Sequence, residues 1–312
     1  MNDTDVMRTI ENRLGARVVS LRPLSGGCVG EVYLARLADS TTDCPASGTA
    51  GATFDDRAGA TDDTKSTSAV VKIDRSAQPI LKAEGFMLSY LARHTTLPVP
   101  KVLVCDDGLL VMSHLPGSSS FDEGAQRHAA ELLVQLHSVT SRRAGFECDT
   151  LIGSLHQPNP WSVSWILFFA DHRLRYMADE AVRADRLPGS IATRVHALAD
   201  RLGELIDPPR EYSLIHGDVW AGNVLAVQGR ITGFIDPAIY YAHPEVELAF
   251  ITLFSCFGEP FFERYQELRG IQGGFFETRR NVYNIYPLLV HVRLFGGGYV
   301  QQVSAVLQTL GF

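Results

Sequence analysis

The spacing of hydrophobic residues changes from a strand-like to a helix-like period about a third of the way along the chain. Apolar runs on either side of the glycine-rich turn 25–30 predict a β-hairpin, with strands at 17–24 and 31–37. Three further short apolar runs predict strands at 69–73, 97–104 and 109–114. A helix with proline in its first turn is predicted between the first two of these, at 79–94.

The remainder of the chain has a mostly helical pattern. Helices are predicted at 124–137, 161–184 and 190–206, and from residue 246 onward. Two short strands, 212–215 and 230–235, flank a loop within this part. The order of elements predicts an α+β protein of two lobes, an antiparallel sheet with one helix at 1–115 and a mainly helical lobe at 116–312.

Residues 39–68 interrupt the first lobe with a different composition. The segment is rich in Asp, Ser, Thr, Gly and Ala, holds no Val, Ile, Leu or Met, and has Phe54 as its one aromatic residue. Such a stretch buries too little apolar area to offset the entropy lost on ordering. We therefore interpret it as a disordered insertion between two strands, with a partner-binding segment as the alternative.

The overall composition is that of an ordinary globular protein and narrows the classes of partner. Of the 312 residues, 46% are hydrophobic and 20% charged, and the formal net charge of −7 argues against general binding to nucleic acid or anionic lipid. The five cysteines are scattered and odd in number, which fits free thiols in a reducing compartment. No apolar run reaches the roughly 18 residues of a membrane span, and the polar N-terminus does not resemble a signal peptide. We therefore expect a cytoplasmic protein.

Two neighbouring loops in the helical part carry three oxygen-bearing side chains. A strand ends shortly before Asp218, Asn223 follows five residues later, and the next strand ends at Asp236. Phosphoryl transfer from ATP needs a carboxylate that accepts the proton of the attacking hydroxyl and oxygen ligands that hold Mg²⁺ against the phosphates. Taken singly, each of the three residues is more typical of a turn or a strand end than of a catalytic site. Together they predict Asp218 as the catalytic base and Asn223 and Asp236 as metal ligands.

Lys72 and Glu84 are predicted to form a pair in the first lobe. Lys72 lies in the middle of a strand, with its side chain directed opposite to those of Val71 and Ile73. In the following helix, Glu84 shares one face with the apolar residues Ile80, Met87, Leu88 and Leu91. A carboxylate on an apolar face needs a partner, and a Lys–Glu pair of this kind places the lysine on the α- and β-phosphates of ATP. A solvated Glu84 at the edge of that face is the alternative.

The glycine-rich turn of the hairpin is a candidate cover for the nucleotide phosphates. Gly26 and Gly27 permit close approach of the backbone to phosphate oxygens, and Cys28 lies among the same backbone amides. The Cys28 thiol is either oxidisable, with increased thiolate character, or an inert small residue. Between the lobes, backbone groups near Met112 and His114 are predicted to meet the adenine edge.

Several sequence runs together resemble the protein-kinase-like superfamily, and in particular the fructosamine (ketosamine) kinase family, with aminoglycoside and choline phosphotransferases as more distant relatives. The run His216-Gly217-Asp218-Val219-Trp220-Ala221-Gly222-Asn223 is similar to the family's HGDLWxGN, with Val219 in place of Leu. The other similar runs are DPAIYY at 236–241, HPEVELA at 243–249, SGGC at 25–28, QPNPW at 157–161 with WILFF at 165–169, and LFGG at 294–297. The resemblance spans nearly the whole chain apart from the insertion.

The same runs differ from those of protein kinases. Gly217 precedes Asp218 where a protein kinase has arginine, and Asp236 is followed by Pro-Ala rather than Phe-Gly. The distance from Asp236 to Glu245 also leaves no room for a long activation segment. These differences argue for a small-molecule kinase.

The resemblance implies a protein-kinase-like fold and an ATP- and Mg²⁺-dependent enzyme that phosphorylates the 3-hydroxyl of a ketosamine. The substrate would be a fructosamine, or a related ribulosamine or psicosamine, free or on a protein lysine, and decay of the unstable 3-phosphate would free the amine. By the same resemblance, Trp220 would pack on the substrate. Four further residues are expected near the sugar, each with a purely structural role as the alternative: Asn159, Trp161, Glu245 and His291.

Two other functions stay open at the level of the sequence. One is a kinase of another small alcohol, such as an aminoglycoside or choline, and Trp220 with the run 236–249 speaks against it. The other is a nucleotide-binding pseudoenzyme that acts as an interaction module, and the presence of Asp218, Asn223 and Asp236 speaks against that. The preferred sugar and the choice between monomer and homodimer stay open as well.

Overall fold

The computed structural model describes residues 3–24, 30–38 and 67–312 of the chain. The predictions for Gly26, Gly27 and Cys28, and for nearly all of the insertion 39–68, therefore lie outside the described residues. The structure divides into two compact units, Met1–Lys82 with Lys101–His114 and Ala83–Pro100 with Leu115–Phe312. Residues 83–100, which the sequence analysis grouped with the first lobe, thus lie in the second unit.

The first unit is built on a five-stranded antiparallel sheet in the order β1-β2-β3-β5-β4. Its strands are β1 Val18–Pro23, β2 Glu31–Leu37, β3 Thr67–Ile73, β4 Val102–Cys105 and β5 Leu109–Ser113. The central strand is β3, which holds Lys72 and pairs with β2 on one side and β5 on the other. All but β4 follow the predicted strands closely.

The strand predicted at 97–104 is shorter than expected, because β4 begins only at Val102. Pro98 and Pro100 lack the backbone N–H that a strand ladder requires, so the segment before Val102 stays irregular. The carbonyl of Pro98 instead accepts a hydrogen bond from the N–H of Phe234 (2.8 Å), within the second unit.

A helix that the sequence analysis did not predict precedes the sheet. This helix, α1 Asp3–Leu14, buries Val6 and Ile10 completely, one turn apart on the same face. Both residues join the core of the first unit together with Val71 of β3. Because so few apolar positions carry the helical stripe, the polar segment did not stand out in the sequence.

The second unit is mainly helical, as predicted. Its helices are α2 Leu81–His94, which begins in the first unit, α3 Glu123–His137, α4 Trp165–Phe169, α5 Tyr176–Arg183, α6 Gly189–Asp200, α7 Glu245–Leu253, α8 Glu259–Leu268, α9 Arg280–Phe295 and α10 Gly298–Thr309. Its short strands are β6 Thr140–Ser141, β7 Thr150–Ile152, β8 Leu155–Gln157, β9 Tyr212–Ile215, β10 Val224–Val227, β11 Arg230–Phe234 and β12 Tyr240–Ala242. Strand β9 pairs with β12 and β6, while β7–β8 and β10–β11 form separate hairpins.

The long helix predicted at 161–184 begins later and changes its winding midway. Ser164 accepts a hydrogen bond from the N–H of Leu167 (3.3 Å) with its hydroxyl and so caps α4, which begins at Trp165. A π-helical segment, Ala170–Arg175, joins α4 to α5. Wide turns of this kind are frequent at functional sites. The helix predicted at 190–206 likewise ends early, as α6 stops at Asp200.

Aromatic residues join the helices of the second unit. Trp165 of α4 is completely buried, stacks with Phe169 (5.4 Å between ring centroids), and donates its indole N–H to the hydroxyl of Tyr283 in α9 (3.1 Å). Met87 and Leu91 of α2 belong to the same core. In the part of the chain that the structure describes, no helix has the length and apolar character needed to cross a membrane.

Candidate active site

The loop that follows β9 holds Asp218 and Asn223 in direct contact. All four residues of β9 are buried, so this strand anchors the loop in the core. The side-chain amide of Asn223 donates to the backbone oxygen of Asp218 (3.0 Å) and to its Oδ2 (2.7 Å). Asn223 is itself buried and precedes β10. The predicted base and one predicted metal ligand therefore lie together.

The loop that follows β11 lies against the Asp218 loop. The N–H of Ala238 donates to the oxygen of His216 (2.7 Å). Gly217 permits this approach, because its φ is +86° and a Cβ there would lie 2.3 Å from the oxygen of Ala238. Asp236 precedes this contact with a left-handed φ of +54°, which Asp adopts more readily than most residues. The loops of all three predicted side chains are thus neighbours.

The electrostatic surroundings of Asp218 favour its protonated form. Burial and the carboxylate of Asp236 raise the pKa of Asp218 to about 8, while the hydrogen bond from Asn223 acts in the opposite direction. The carboxylate of Glu247 raises this pKa further. The site therefore concentrates negative charge, which a bound cation would offset.

A series of buried hydrogen bonds supports the Asp218 loop. Glu247 of α7 accepts from the N–H of Gly217 at Oε1 (2.7 Å) and from Nε2 of His137 at Oε2 (2.9 Å). The other ring nitrogen of His137 lies 2.8 Å from the hydroxyl of Tyr265. Burial opposes ionisation of Glu247, but the hydrogen bonds from His137 and Gly217 outweigh it and hold the pKa of Glu247 below its usual range.

Sequence reasoning missed this role of Glu247, although a signal was present. Glu247 stands in an apolar run of α7 between Val246 and Leu248. The argument that singled out Glu84, a carboxylate on an apolar helix face that needs a partner, applies equally to Glu247. His137 gave no comparable signal, because its partners lie 110 and 128 residues away along the chain.

A small cavity of about 30 Å³ lies beside Asp218. Its polar lining consists of Asp218, Glu247, Tyr240, Tyr286 and His291, and its apolar lining includes Ile152, Val246, Phe250 and Val290. A cavity needs about 10–15 Å³ to hold one water molecule. This cavity therefore suits a hydroxyl-sized group rather than a whole sugar. Of the predicted sugar contacts, His291 shares this cavity with Asp218.

The hydrogen bonding of His291 fixes its tautomer. Its Nδ1 lies 2.8 Å from the carbonyl oxygen of Pro287, which only accepts, so Nδ1 carries a proton. Burial lowers the pKa of His291 and favours the neutral ring. Nε2 then keeps its lone pair and is a hydrogen-bond acceptor. The rings of Phe254 and Tyr299 flank the imidazole at centroid distances of 4.7 and 4.9 Å.

Glu245 of α7, predicted to contact the sugar, is engaged elsewhere. Its two oxygens accept from Nε (2.6 Å) and Nη2 (2.7 Å) of Arg279. The pair is buried, and Arg279 also donates to the backbone oxygens of Gln272 and Gly273. Both carboxylate oxygens are therefore occupied by a structural ion pair, and the lining of the Asp218 cavity contains the next residue, Val246, instead.

The two predicted tryptophans keep part of their surface exposed. Trp220, two residues after Asp218, is 40% exposed, and its ring covers Gly222 so closely that a Cβ there would lie 2.4 Å from the indole. Trp161 is 37% exposed, with its ring 6.0 Å from that of Tyr241 and the guanidinium of Arg143 4.9 Å from its centroid. Both indoles can therefore contact a ligand.

Asn159 belongs to a buried cluster around Arg173, which the sequence analysis did not identify. Arg173, in the π-helical segment, donates to Oδ1 of Asn159 (2.6 Å) and to the backbone oxygen of Pro158 (2.7 Å). Its guanidinium lies 3.9 Å from the ring centroid of Tyr240 and 5.5 Å from that of Tyr286, and both rings line the Asp218 cavity. Asn159 thus orients Arg173 behind the wall of the cavity.

The predicted nucleotide residues of the first unit lie on β3 and β5. Lys72 is buried in β3, and Met112 is buried in β5. The exposed His114 follows β5, and its N–H donates to the oxygen of Ser68 (3.2 Å), so an adenine contact at this N–H would compete with an existing bond. Glu84, in the second unit, is partly buried, and its pairing with Lys72 stays a prediction.

Comparison with known proteins gives a consistent result. The model of the family described as fructosamine kinase matches residues 52–311. A protein of Synechocystis sp. named "Probable ketoamine kinase" is 33% identical over 244 residues, which are 76% of this chain and 81% of the other. The chloroplastic protein-ribulosamine 3-kinase of Arabidopsis thaliana is 31% identical over 253 residues, which are 78% of this chain and 76% of the other.

Solved structures agree with the fold. A Thermobifida fusca protein assigned as a fructosamine-3-kinase matches with a TM-score of 0.80 and 25% identity, over 99% of both chains. A thermostable variant of an aminoglycoside phosphotransferase, solved as a ternary complex with ADP and hygromycin B, matches with a TM-score of 0.61 and 18% identity over 98% of both chains. The second likeness shows the fold alone. Together they confirm the predicted α+β, protein-kinase-like fold.

Proposed function

The chain belongs to the fructosamine kinase family, and on that premise we propose that it transfers a phosphoryl group from ATP to the 3-hydroxyl of a ketosamine, with Asp218 as the catalytic base. The ketosamine is a small molecule or a glycated protein lysine, and decay of its 3-phosphate frees the amine. The observation that carries the assignment of the base is the contact of Asp218 with Asn223, next to the loop of Asp236.

Asp218 is well placed to accept the proton of the attacking hydroxyl. Asn223 binds Oδ2, which fixes the orientation of the carboxylate, and Asp218 borders a cavity that holds a hydroxyl-sized group. A cation bound at Asp236 would offset the negative charge that raises the pKa of Asp218, and so would favour the ionised carboxylate that a base requires. The hydrogen bond that the N–H of Gly217 donates to Glu247 holds the loop that carries this base.

We assign the Mg²⁺ site to Asn223 and Asp236. These residues suit the ion, because Mg²⁺ prefers oxygen ligands and usually binds one or two carboxylates together with substrate phosphates. Asn223 turns its amide nitrogen toward Asp218, so its amide oxygen lies on the other side of the group. The repulsion from Asp236 that raises the pKa of Asp218 is what a cation would relieve. The ion would neutralise charge on the phosphoryl group during transfer.

On the nucleotide side, the proposal assigns the phosphates of ATP to Lys72, oriented by Glu84. The support is the position of Lys72 in the central strand, buried on the face opposite to the apolar core of the first unit. Met112 and His114 are proposed to border the adenine. The phosphate contacts of Gly26, Gly27 and Cys28 stay predictions from the sequence.

On the sugar side, the proposal keeps Trp220, His291 and Trp161. Trp220 offers an exposed ring next to the base, and Nε2 of His291 is an acceptor for a sugar hydroxyl in the same cavity as Asp218. Asn159 and Glu245 are left out, because their side chains are already bound by arginines in the interior.

The test is ATP consumption with Mg²⁺ on four acceptors in parallel: fructoselysine, ribuloselysine, kanamycin and choline. We expect turnover on the ketosamines, and a loss of at least about 10²-fold in kcat for Asp218→Asn with ATP binding little changed, because a general base contributes 10²–10⁴-fold. The matched control is Asp185→Asn, the same change at an exposed residue whose φ of +56° suits Asn. Turnover confined to kanamycin or choline would overturn the substrate, and an active Asp218→Asn would overturn the base.

A further inference from the structure

An aromatic cluster at the ends of α7 and α9 has no role in the proposed function. Phe254 directly follows α7, Phe295 is the last residue of α9, and Tyr299 lies in the first turn of α10. Their rings surround that of His291, at centroid distances of 4.7 Å for Phe254, 5.6 Å for Phe295 and 4.9 Å for Tyr299. We call these three residues the aromatic rim.

The aromatic rim continues the wall of the cavity beside Asp218. Phe250 and His291 line that cavity. Phe254 lies one helical turn after Phe250, with 5.6 Å between the ring centroids, and Phe295 lies one turn after His291. Phe250 is buried, whereas Phe254 is partly exposed and Phe295 is 53% exposed. The rim therefore lies between the cavity and the solvent, next to a substrate whose reacting hydroxyl is bound at Asp218.

Two glycines bring the third ring of the aromatic rim into place. Gly296 and Gly297 link α9 to α10 with φ of +64° and +60°, values that residues with a Cβ rarely adopt. Helix α10 packs back on α9 after this turn, and the ring of Tyr299 lies 6.2 Å from that of Phe295 between centroids. The turn belongs to the run LFGG at 294–297, which the proposed function leaves without a role.

The charges around the cavity and the aromatic rim favour a cation. The described residues that line the cavity include the carboxyl groups of Asp218 and Glu247 but no lysine or arginine. Hydrogen bonds hold the pKa of Glu247 below its usual range, so this carboxylate stays ionised. The guanidinium of Arg173 lies behind the ring of Tyr240 and is not part of the lining. Helix α7 adds the partial negative charge of its C-terminus beside Phe254, and its last turn carries no basic residue.

A ketosamine carries such a cation next to its sugar. Its nitrogen is bonded to C1, two carbons from the C3 that bears the reacting hydroxyl, and a secondary alkylamine is protonated at neutral pH. Beyond the nitrogen, the arm of a lysine ketosamine is a flexible four-carbon chain. We propose that the aromatic rim binds this arm, with its ring faces against the ammonium group and the adjoining methylenes, and so favours ketosamines of long alkylamines such as the lysine side chain. This inference rests on the proposed function and specifies which part of the substrate the rim selects.

The experiment uses the full chain and compares three derivatives of one ketose, fructose or ribulose, in steady-state assays with ATP and Mg²⁺. The derivatives carry a butylamino, a methylamino or a butoxy group at C1, so the second lacks most of the apolar arm and the third lacks the cation. We expect kcat/KM on the butylamino derivative to be at least about fivefold higher than on either of the others. Equal values on the butylamino derivative and either of the others would overturn the inference and leave the proposed function intact. No turnover of any derivative of either sugar would overturn the proposed function, and the inference with it.

Variants of Phe295, the most exposed ring of the aromatic rim, separate the two kinds of contact. Phe295→Ala removes both, so KM for the butylamino derivative should rise to near that for the methylamino derivative, with kcat and KM for ATP little changed. Phe295→Leu keeps an apolar side chain but has no ring face. It should therefore lose part of the preference for the amine over the ether and keep the preference for butyl over methyl.

The matched control is Phe276→Ala, which removes another exposed ring of the second unit. The ring of Phe276 contacts those of Phe262 and Phe275, so its removal should leave all three kcat/KM values like those of wild type. Thermal unfolding checks the fold of each protein, and if Phe295→Ala fails to fold, the ratio of amine to ether in Phe295→Leu decides. Wild-type preferences in the folded Phe295 variant would show that the rim does not bind the arm.

Discussion

Two glutamates in the first turn of α7 serve different regions of the second unit. Glu247 holds the Asp218 loop through the N–H of Gly217 and is itself held by His137. Glu245 is bound on both oxygens by Arg279, away from that loop. Residues two apart on a helix point about 200° away from each other, so the two carboxylates meet different neighbours. Of the two, only Glu247 lines the cavity beside Asp218, so nearness in sequence does not by itself place a side chain at the proposed active site.

The two regions also differ in how they balance buried charge. The Glu245–Arg279 pair is a closed ion pair, with each charge offset by the other. Glu247 and Asp218 instead line the same cavity. The charge of Glu247 is one of the causes that raise the pKa of Asp218. Removing one partner of the first arrangement would leave a buried charge unpaired, whereas changing the second would also affect the proposed base. Variants that affect the two regions separately test this distinction.

The largest expected effect is on stability, in Glu245→Gln. The change leaves the guanidinium of Arg279 buried without its anion, and breaking a buried pair in this way costs about 3–5 kcal/mol. The midpoint of urea unfolding should therefore fall strongly, while kcat per folded molecule stays near that of wild type. The control Glu204→Gln breaks an exposed pair with Arg201 and should change the midpoint little. A large loss of kcat with an unchanged midpoint would place Glu245 in the active site after all.

The second effect is on turnover, in Glu247→Gln. The neutral amide accepts a weaker hydrogen bond from the N–H of Gly217 and presents its NH₂ group to His137. The Asp218 loop should therefore shift. A displacement of about 1 Å at reacting groups costs on the order of 10²-fold. We expect kcat to fall by about this factor with a smaller change in KM, measured by steady-state kinetics on a ketosamine. If Glu245→Gln and Glu247→Gln lose kcat equally, the two glutamates are not functionally different.

The third effect depends on pH and concerns His243, which precedes α7. Burial and then the charges of Arg279 and Arg269 lower the pKa of His243 to about 3. The unfolded chain binds a proton below about pH 6.5 that the folded one binds only near 3, so stability should fall as the pH falls through this window. One such proton contributes about 1.4 kcal/mol per pH unit.

The variant His243→Asn isolates this contribution. Its Oδ1 can replace Nδ1 as the acceptor for the N–H of Glu245 (3.1 Å in the wild type) but does not titrate. Urea unfolding between pH 4 and 6 should therefore show a shallower loss of stability in the variant. Equal slopes in the two proteins would mean that His243 is not the buried neutral group that the structure indicates.

The sequence was sufficient where the structure depends on local pattern. Asp218 and Asn223 lie in one loop five residues apart, and the strands on either side place that loop at a sheet end. The position of Lys72 in β3, on the face opposite to Val71 and Ile73, follows from strand alternation in the same way. The resemblance of the catalytic run to one family then supplied the substrate, which the pattern of residues alone left open.

The sequence was insufficient where a role depends on distant partners. Arg279 lies 34 residues after Glu245, and His137 lies 110 residues before Glu247, so nothing local distinguishes the two glutamates. The contact of Asn159 with Arg173 was not foreseen for the same reason, because Arg173 lies in a π-helical segment that no periodicity predicts. The helix α1 was missed because its apolar face is too narrow to stand out.

The smallest expected effect is that of Gly222→Ala, which changes the packing of Trp220 in the Asp218 loop. The new Cβ would lie 2.4 Å from the indole of Trp220, so the ring has to move. The loop itself stays anchored by the hydrogen bond from Gly217 to Glu247. If Trp220 packs on the sugar, KM for the ketosamine should rise several-fold while kcat and KM for ATP change little. The control Gly203→Ala adds the same methyl group where nothing lies within 4 Å and should leave the kinetics unchanged. A fall in kcat without a change in KM would instead mean that the ring of Trp220 positions Asp218. The loop would then be held by Trp220 as well as by Glu247.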